Sequence, residues 1–355
     1  PEFQQGNQWG LSNTGNSDAD IHAPAAWDKN KGRDDVVVGV IDTGIDYNHS
    51  DLDPGDRSRV IQGRDFGDDD FDAMDEVGHG TGVAGAIGAI TDNDHQVAGV
   101  MWDLQLMPLK ASNDVVGISA SLAAEAVNHA RGNGVDIINM SFSGGVCDGF
   151  FDPDCYNSPL QGPVKNAYLE GVTLLSSTGN NGQEEVHYPA GYWGSMAVGA
   201  SDPDDSRDLS STYGPHVNFV APSGFQSTDL NNGTQKFGGP TSHATAIASG
   251  VAGLILSESR DRGLGLTNDD IRGLMEETAK DINSGELPGR DDQVGHGRLN
   301  ANAALEALQP PNEVVHDVHF GGSGKLYEGA AKVAFIGAGR SNDLSGTHFI
   351  DIHEV

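Results

Sequence analysis

Four residues far apart in the chain carry side chains that together could transfer an acyl group. Ser242 stands in "GGPTSHATAIASGVAGLIL" (238–256), where a glycine-rich turn gives way to a run of small apolar residues. A serine hydroxyl is a weak nucleophile until a base within hydrogen-bond reach takes its proton and an acid orients that base. His79, flanked by Gly78 and Gly80 in "DEVGHGTGVAGAIGAI", offers the base. At a helix start the dipole would bias its imidazole toward the neutral form a base requires. Asp42, in "VVVGVIDTGIDYNHSDL", offers the acid, and Asn180, in "LLSSTGNNG" (174–182), offers a carboxamide donor for a developing oxyanion. Asp42, His79 and Ser242 each have a plainer reading when taken alone: a strand-end carboxylate, a capping or packed histidine, a serine N-cap.

These residues need a scaffold that brings them to one edge. Apolar runs at 36–42, 135–141, 172–178 and 195–201 are nearly continuous, as in parallel strands covered on both faces. Between and after them lie helical patterns. Residues 119–134 open on a serine and close on glycine, and 266–279 open on Thr-Asn with acids in the first turn. Strands alternating with helices predict an α/β fold with a mostly parallel central sheet and helices on both faces. In such sheets ligands bind at the carboxyl ends of the strands, where Asp42 and Asn180 fall. The pattern runs to about residue 311. Residues 312–355 lack helix signals and read as a small β-rich C-terminal appendage.

Composition narrows the class. The 355 residues include 52 acidic against 20 basic side chains, a net charge of −32, which repels nucleic-acid phosphates and argues against such partners. No apolar run reaches the ~18 residues of a membrane span. Most of the charge reads as a solvated surface suited to a salty medium. Two cysteines, Cys147 and Cys155, leave open a pair of free thiols or a small disulfide loop. Their close spacing around Gly149 and Pro153 favours the loop, which would stabilise by about 2–3 kcal/mol and places the chain outside the reducing cytosol. The chain opens "PEFQQ" with neither Met nor signal peptide, as a processed or trimmed chain would. "GGSGKL" (321–326) lacks phosphate-loop spacing, and no H-E-x-x-H occurs, so a zinc protease is not indicated.

Taken together, "IDTGID", "GHGTGVAG", "STGNNG" and "TSHATAIASG", in that order, resemble the signature blocks of the subtilisin-like serine proteases. "INMSFSGG", "YPAGYWGSMAVGASD", "YGPHVNFVAPSG" and "GHGRLNANAAL" extend the likeness over roughly 8–305. The resemblance implies the three-layer subtilisin-like fold and a secreted, monomeric endopeptidase acting on polypeptides. In that chemistry Ser242 forms the acyl-enzyme, His79 is general base then acid, Asp42 orients His79 and Asn180 holds the oxyanion. It implies that substrate pairs as an added strand with Lys110, Ala111, Ser112 and Asn113 on one side and Ser141, Phe142, Ser143, Gly144 and Gly145 on the other. The primary pocket would lie between 141–145 and 176–180, with an apolar or aromatic preference. It implies an N-terminal prodomain, absent from this sequence, as folding assistant and inhibitor before maturation. Calcium is implied at two loops, one through Asp65, Asp68, Asp70 and Asp72 and the other through Asp92 and Asp94 with Asp51.

The nucleophile block departs from the family's usual Gly-Thr-Ser-Met-Ala-Thr/Ser-Pro-His-Val-Ala-Gly. Pro240, His243, Ala246 and Ile247 stand for glycine, methionine, proline and histidine, and Gly82 stands where histidine is usual in the His79 block. Pro240 deletes an N–H just before the nucleophile and would tilt Ser242. The alternative to an active protease is therefore a catalytically weak, peptide-binding relative. His243 in place of an oxidisable methionine predicts greater peroxide tolerance.

Overall fold

The computed structural model describes residues 2–3, 5–15, 18–113, 117–144, 158–283 and 285–308. The expected C-terminal appendage, Gly145, and both cysteines with the disulfide expected between them lie outside the described residues.

Seven parallel strands form the central sheet in the order β2-β3-β1-β4-β5-β6-β7. They are β1 (Gly32–Asp42), β2 (Arg64–Asp65), β3 (Asp103–Lys110), β4 (Ile137–Met140), β5 (Thr173–Ser177), β6 (Ser195–Ser201) and β7 (Val217–Pro222). Alternation along β1 sends Val36, Val38 and Val40 into one core and Val37 and Ile41 toward the other. Both faces therefore need helices. On the first face pack α1 (Ala23–Trp27), α2 (His79–Gly88), α5 (Pro240–Arg262), α6 (Asn268–Glu277) and α7 (Ala301–Ala307). On the second pack α3 (Ala120–Gly132) and α4 (Gln161–Leu169). Each fully buried Val, Ile or Leu in these layers contributes about 1.5–3 kcal/mol.

The predicted helix at 119–134 forms, with the Ser119 hydroxyl accepting from Leu122 N–H. The one at 266–279 shortens to α6 because Thr267 and Asp270 close a capping box at its start. Helix α5 is buried almost all round from Thr241 to Ile255. Its small side chains let it run close beneath β1, β4, β5, β6 and β7.

A two-stranded hairpin, β8 (Gln226–Asp229) with β9 (Gly233–Lys236), packs against α2. Ser227 and Thr228 hydroxyls donate to the Gly82 and Thr81 carbonyls of α2 at 2.6 and 2.7 Å. The register pairs Ile41 with Met140 and Met140 with Ser176, so β1, β4 and β5 end nearly level. Chain order reverses on either side of β1, which makes this edge the switch point of the sheet.

Candidate active site

A cleft of about 480 Å³ opens at that edge. Asp42 from the end of β1, His79 from the start of α2, Asn180 from beyond β5 and Ser242 from the first turn of α5 all line it. Ser141, Phe142, Ser143, Gly117, Ile118, Phe237 and Gly239 complete its walls.

Asp42 is buried, and its Oδ1 accepts from the His79 Nδ1 at 2.7 Å and from the Thr43 N–H at 2.8 Å. With Nδ1 engaged, Nε2 is the ring nitrogen left for the cleft. Gly80 permits this approach: a Cβ there would stand 2.1 Å from the Gly44 carbonyl oxygen and 3.1 Å from Asp42 Cβ. Burial pushes the imidazole down, but the charge of Asp42, its hydrogen bond and the charge of Asp75 outweigh that, and the pKa is raised above 6.5. The dipole-neutralised histidine expected from the sequence is thus overridden by two carboxylates.

Asp75 is the residue that sequence reasoning passed over as part of an acidic loop. It is 3% exposed and braces the start of α2. Its Oδ1 accepts from the Thr43 hydroxyl and the Val77 and Gly78 N–H groups, and its Oδ2 from the Thr81 N–H and hydroxyl, all at 2.7–3.0 Å. The available signal was its spacing, with glycine three residues on and threonine six residues on.

At α5 the donors are arranged differently. Pro240 takes the first helical turn, where an N–H would be unpaired in any case and the fixed φ suits a helix. The expected tilt of Ser242 therefore has no cause in Pro240. The Thr241 N–H and hydroxyl both donate to Asn180 Oδ1, at 3.0 and 2.8 Å. This turns the amide so that its Nδ2 hydrogens remain for the cleft. His243 N–H goes to the Gly239 carbonyl, and Ser242 N–H has no acceptor among the described residues. Ser242 is 5% exposed; its hydroxyl donates to the Ser141 carbonyl and the Ser141 hydroxyl returns a bond to the Ser242 carbonyl, both at 3.0 Å. Asn139 holds Ser141 in turn, at 2.8 Å.

Of the substrate segments, Ser141, Phe142 and Ser143 line the cleft, and Gly144 N–H is tied to the Tyr188 carbonyl at 2.7 Å. Lys110, Ala111, Ser112 and Asn113 do not line it. Lys110 is buried, its ammonium 3.3 Å from Asp65, and Ala111 N–H donates to the Asp42 carbonyl, so both are spent on structure. The Ser112 hydroxyl donates to the Gly117 carbonyl and Asn113 is exposed. Gly117 and Ile118 form the opposing wall instead.

The predicted calcium carboxylates do not converge. Asp65 Oδ1 accepts from the Gly67 and Asp68 N–H groups while Lys110 neutralises the carboxylate. Asp72 accepts from Tyr47 and Asp70 from Asp72 N–H, while Asp68 stands exposed. In the second loop Asp51 is fully buried and accepts from the Asn93 amide and the Val97 N–H, whereas Asp92 and Asp94 are exposed. Among the described residues, the one group with three converging ligand atoms is Asp18, Asp20 and His22, outside both loops.

Residues 33–297 match the subtilase family. A thermophilic serine proteinase of Bacillus sp. (strain AK1) is 33% identical over 303 residues, 85% of this chain and 68% of its own length. A halolysin-like extracellular serine protease, Nep, of Natrialba magadii is 35% identical over 289 residues, 80% of this chain and 50% of its own length. The solved structure of the prenylagaramide maturation protease PagA superposes with a TM-score of 0.68 at 27% identity, covering 81% of this chain and 99% of that one. The chain thus belongs to the subtilase family and is a subtilisin-like serine endopeptidase.

Proposed function

We propose that this enzyme cleaves polypeptides through an acyl-enzyme on Ser242. The Ser242 hydroxyl leaves the Ser141 carbonyl and attacks the scissile carbonyl carbon, and its proton passes to His79 Nε2. Asp42 holds the Nδ1–H and stabilises the imidazolium. The tetrahedral oxyanion is received by the Asn180 Nδ2 donor and the Ser242 N–H at the dipole-positive start of α5. His79 then protonates the leaving amine. Water, activated by the same imidazole, releases the acyl group. Extended substrate lies between Ser141–Gly144 and Gly117–Ile118, and Phe142 favours an apolar or aromatic residue beside the scissile bond. The observation that carries this reading is the convergence of four chain-distant residues on one cleft, with the Asp42–His79 bond at 2.7 Å.

Secretion, a monomeric state and maturation from a prodomain-bearing precursor belong to the same proposal. An extracellular relative and an acidic surface support the first of these. A calcium ion fits the loop at 91–97 better than the loop at 65–76. Asp51 there is a buried carboxylate with no Lys or Arg within ion-pair distance among the described residues, only the more distant charge of Arg59, whereas Lys110 already neutralises Asp65. The ion would stabilise the fold and take no part in the chemistry.

A serine-directed fluorophosphonate probe tests the assignment. The wild type should be labelled on Ser242 and Ser242→Ala should not. No labelling of folded wild type would return the reading to a peptide-binding relative.

A further inference from the structure

Beside the nucleophile, His243 is fully buried and unused by the mechanism above. Its Nδ1 accepts the Gly224 N–H at 3.1 Å, which fixes the tautomer with the proton on Nε2. Nε2 is buried and has no partner among the described residues. Phe225 precedes β8 and Phe237 follows β9, joined by Phe237 N–H donating to the Phe225 carbonyl at 3.0 Å. The open end of the hairpin therefore closes on the His243 ring, 4.2 Å from Phe225 and 5.0 Å from Phe237 between centroids. Phe237 in turn packs 5.3 Å from His79. Gly82 makes room for it: a Cβ there would stand 2.4 Å from the Phe237 ring. Four rings thus run in a row from the hairpin mouth, past the residue next to the nucleophile, to the base.

We infer that His243 is a positioning residue that locks the hairpin mouth to α5 and, through Phe237, sets His79 against Ser242. The hairpin is anchored to α2 by Ser227 and Thr228, so it adds a second tie, at the cleft end, between the helix bearing the base and the helix bearing the nucleophile, which also pack directly on each other. A leucine could fill the space but not accept the Gly224 N–H. A protonated imidazole would present a second donor to that N–H and break the lock. Burial pushes His243 down to about 3, so the lock stays neutral wherever His79 can act.

The inference rests on His79 and Ser242 acting as proposed, and the wild-type enzyme controls for that. If wild type does not react with the fluorophosphonate, the functional reading fails first. Given wild-type labelling, His243→Leu should label roughly 10-fold more slowly, with KM for a peptide substrate unchanged and the acid limb of the rate profile displaced. His243→Asn, which restores an acceptor oxygen, should recover labelling to within about threefold. Phe237→Leu should displace the same limb, and it decides the matter if His243→Leu does not fold. Wild-type rates and an unmoved limb in the folded variants would overturn the inference. So would a loss in His243→Leu that follows melting temperature alone and is not recovered by asparagine.

Discussion

The two helices that bear the base and the nucleophile begin alike and end up doing opposite things. Both α2 and α5 start from a glycine N-cap with no side-chain cap, continue in small residues and carry a reactive side chain in the first turn. At α2 a carboxylate takes most of the N-terminal donors: Asp75 takes those of Val77, Gly78 and Thr81, and Thr43 takes that of Gly80, leaving the His79 N–H without an acceptor among the described residues. Against burial, the charge and hydrogen bond of Asp42 raise the pKa of His79, and the charge of Asp75 adds to them. At α5 Pro240 removes one donor and Asn180 captures another, and the Ser242 N–H is left over. A helix start held by a carboxylate tunes a base; one without a carboxylate receives an anion.

Asp42→Asn should break the side of the base most severely. It disrupts the Nδ1 bond and tautomer, and kcat should fall by roughly 10⁴-fold with folding intact, as steady-state kinetics and circular dichroism would report. Asn180→Ala attacks the side of the nucleophile. Its kcat should fall by roughly 10²–10³-fold with KM little changed, the range for losing one oxyanion donor. A larger rise in KM than fall in kcat would assign Asn180 to substrate binding instead.

Asp75→Asn separates the two helix starts by charge alone. With wild type, activity should rise with pH through a limb above 6.5, because His79 must lose its proton to act. Removing the Asp75 charge should move that limb to lower pH, and an unmoved limb would leave Asp75 a brace only. The linkage also has a sign. A folded pKa raised above the unfolded one contributes stability that is fully present below about 6.5 and lost as pH rises through the folded value. His243 works the other way: with its folded pKa held at about 3, its contribution is complete above 6.5 and lost as pH falls toward 3.

Smaller effects lie away from both helix starts. Chelation should lower the melting temperature of wild type by several degrees, and Asp51→Ala should abolish that difference. Exposure to dilute peroxide should leave activity nearly constant, since His243 replaces the oxidisable neighbour of the nucleophile. Rapid loss would point to another susceptible group.

The sheet was legible because buried parallel strands write themselves as continuous apolar runs, and the run at 195–201 coincides with β6. Asp42, His79, Asn180 and Ser242 were legible because glycines and small residues frame them. Asp75 was not, since in a run of acidic residues nothing local distinguishes the buried carboxylates, Asp65 and Asp75, from the solvated ones. Lys110 was misplaced for a related reason: its ammonium is drawn to Asp65, a partner 45 positions away in sequence, rather than to the cleft. The hairpin at 226–236 was also missed. Its strands are short and polar, and its turn rests on Asn231 and Asn232 in left-handed conformation rather than on a glycine pair.

Residues on these helices and strands act as one unit. The direct test is kcat for Asp42→Asn, Ser242→Ala and the double variant. The double variant should be no slower than Ser242→Ala alone, because each substitution disables the same proton transfer. Losses that multiply would contradict it and mean that the two side chains act independently.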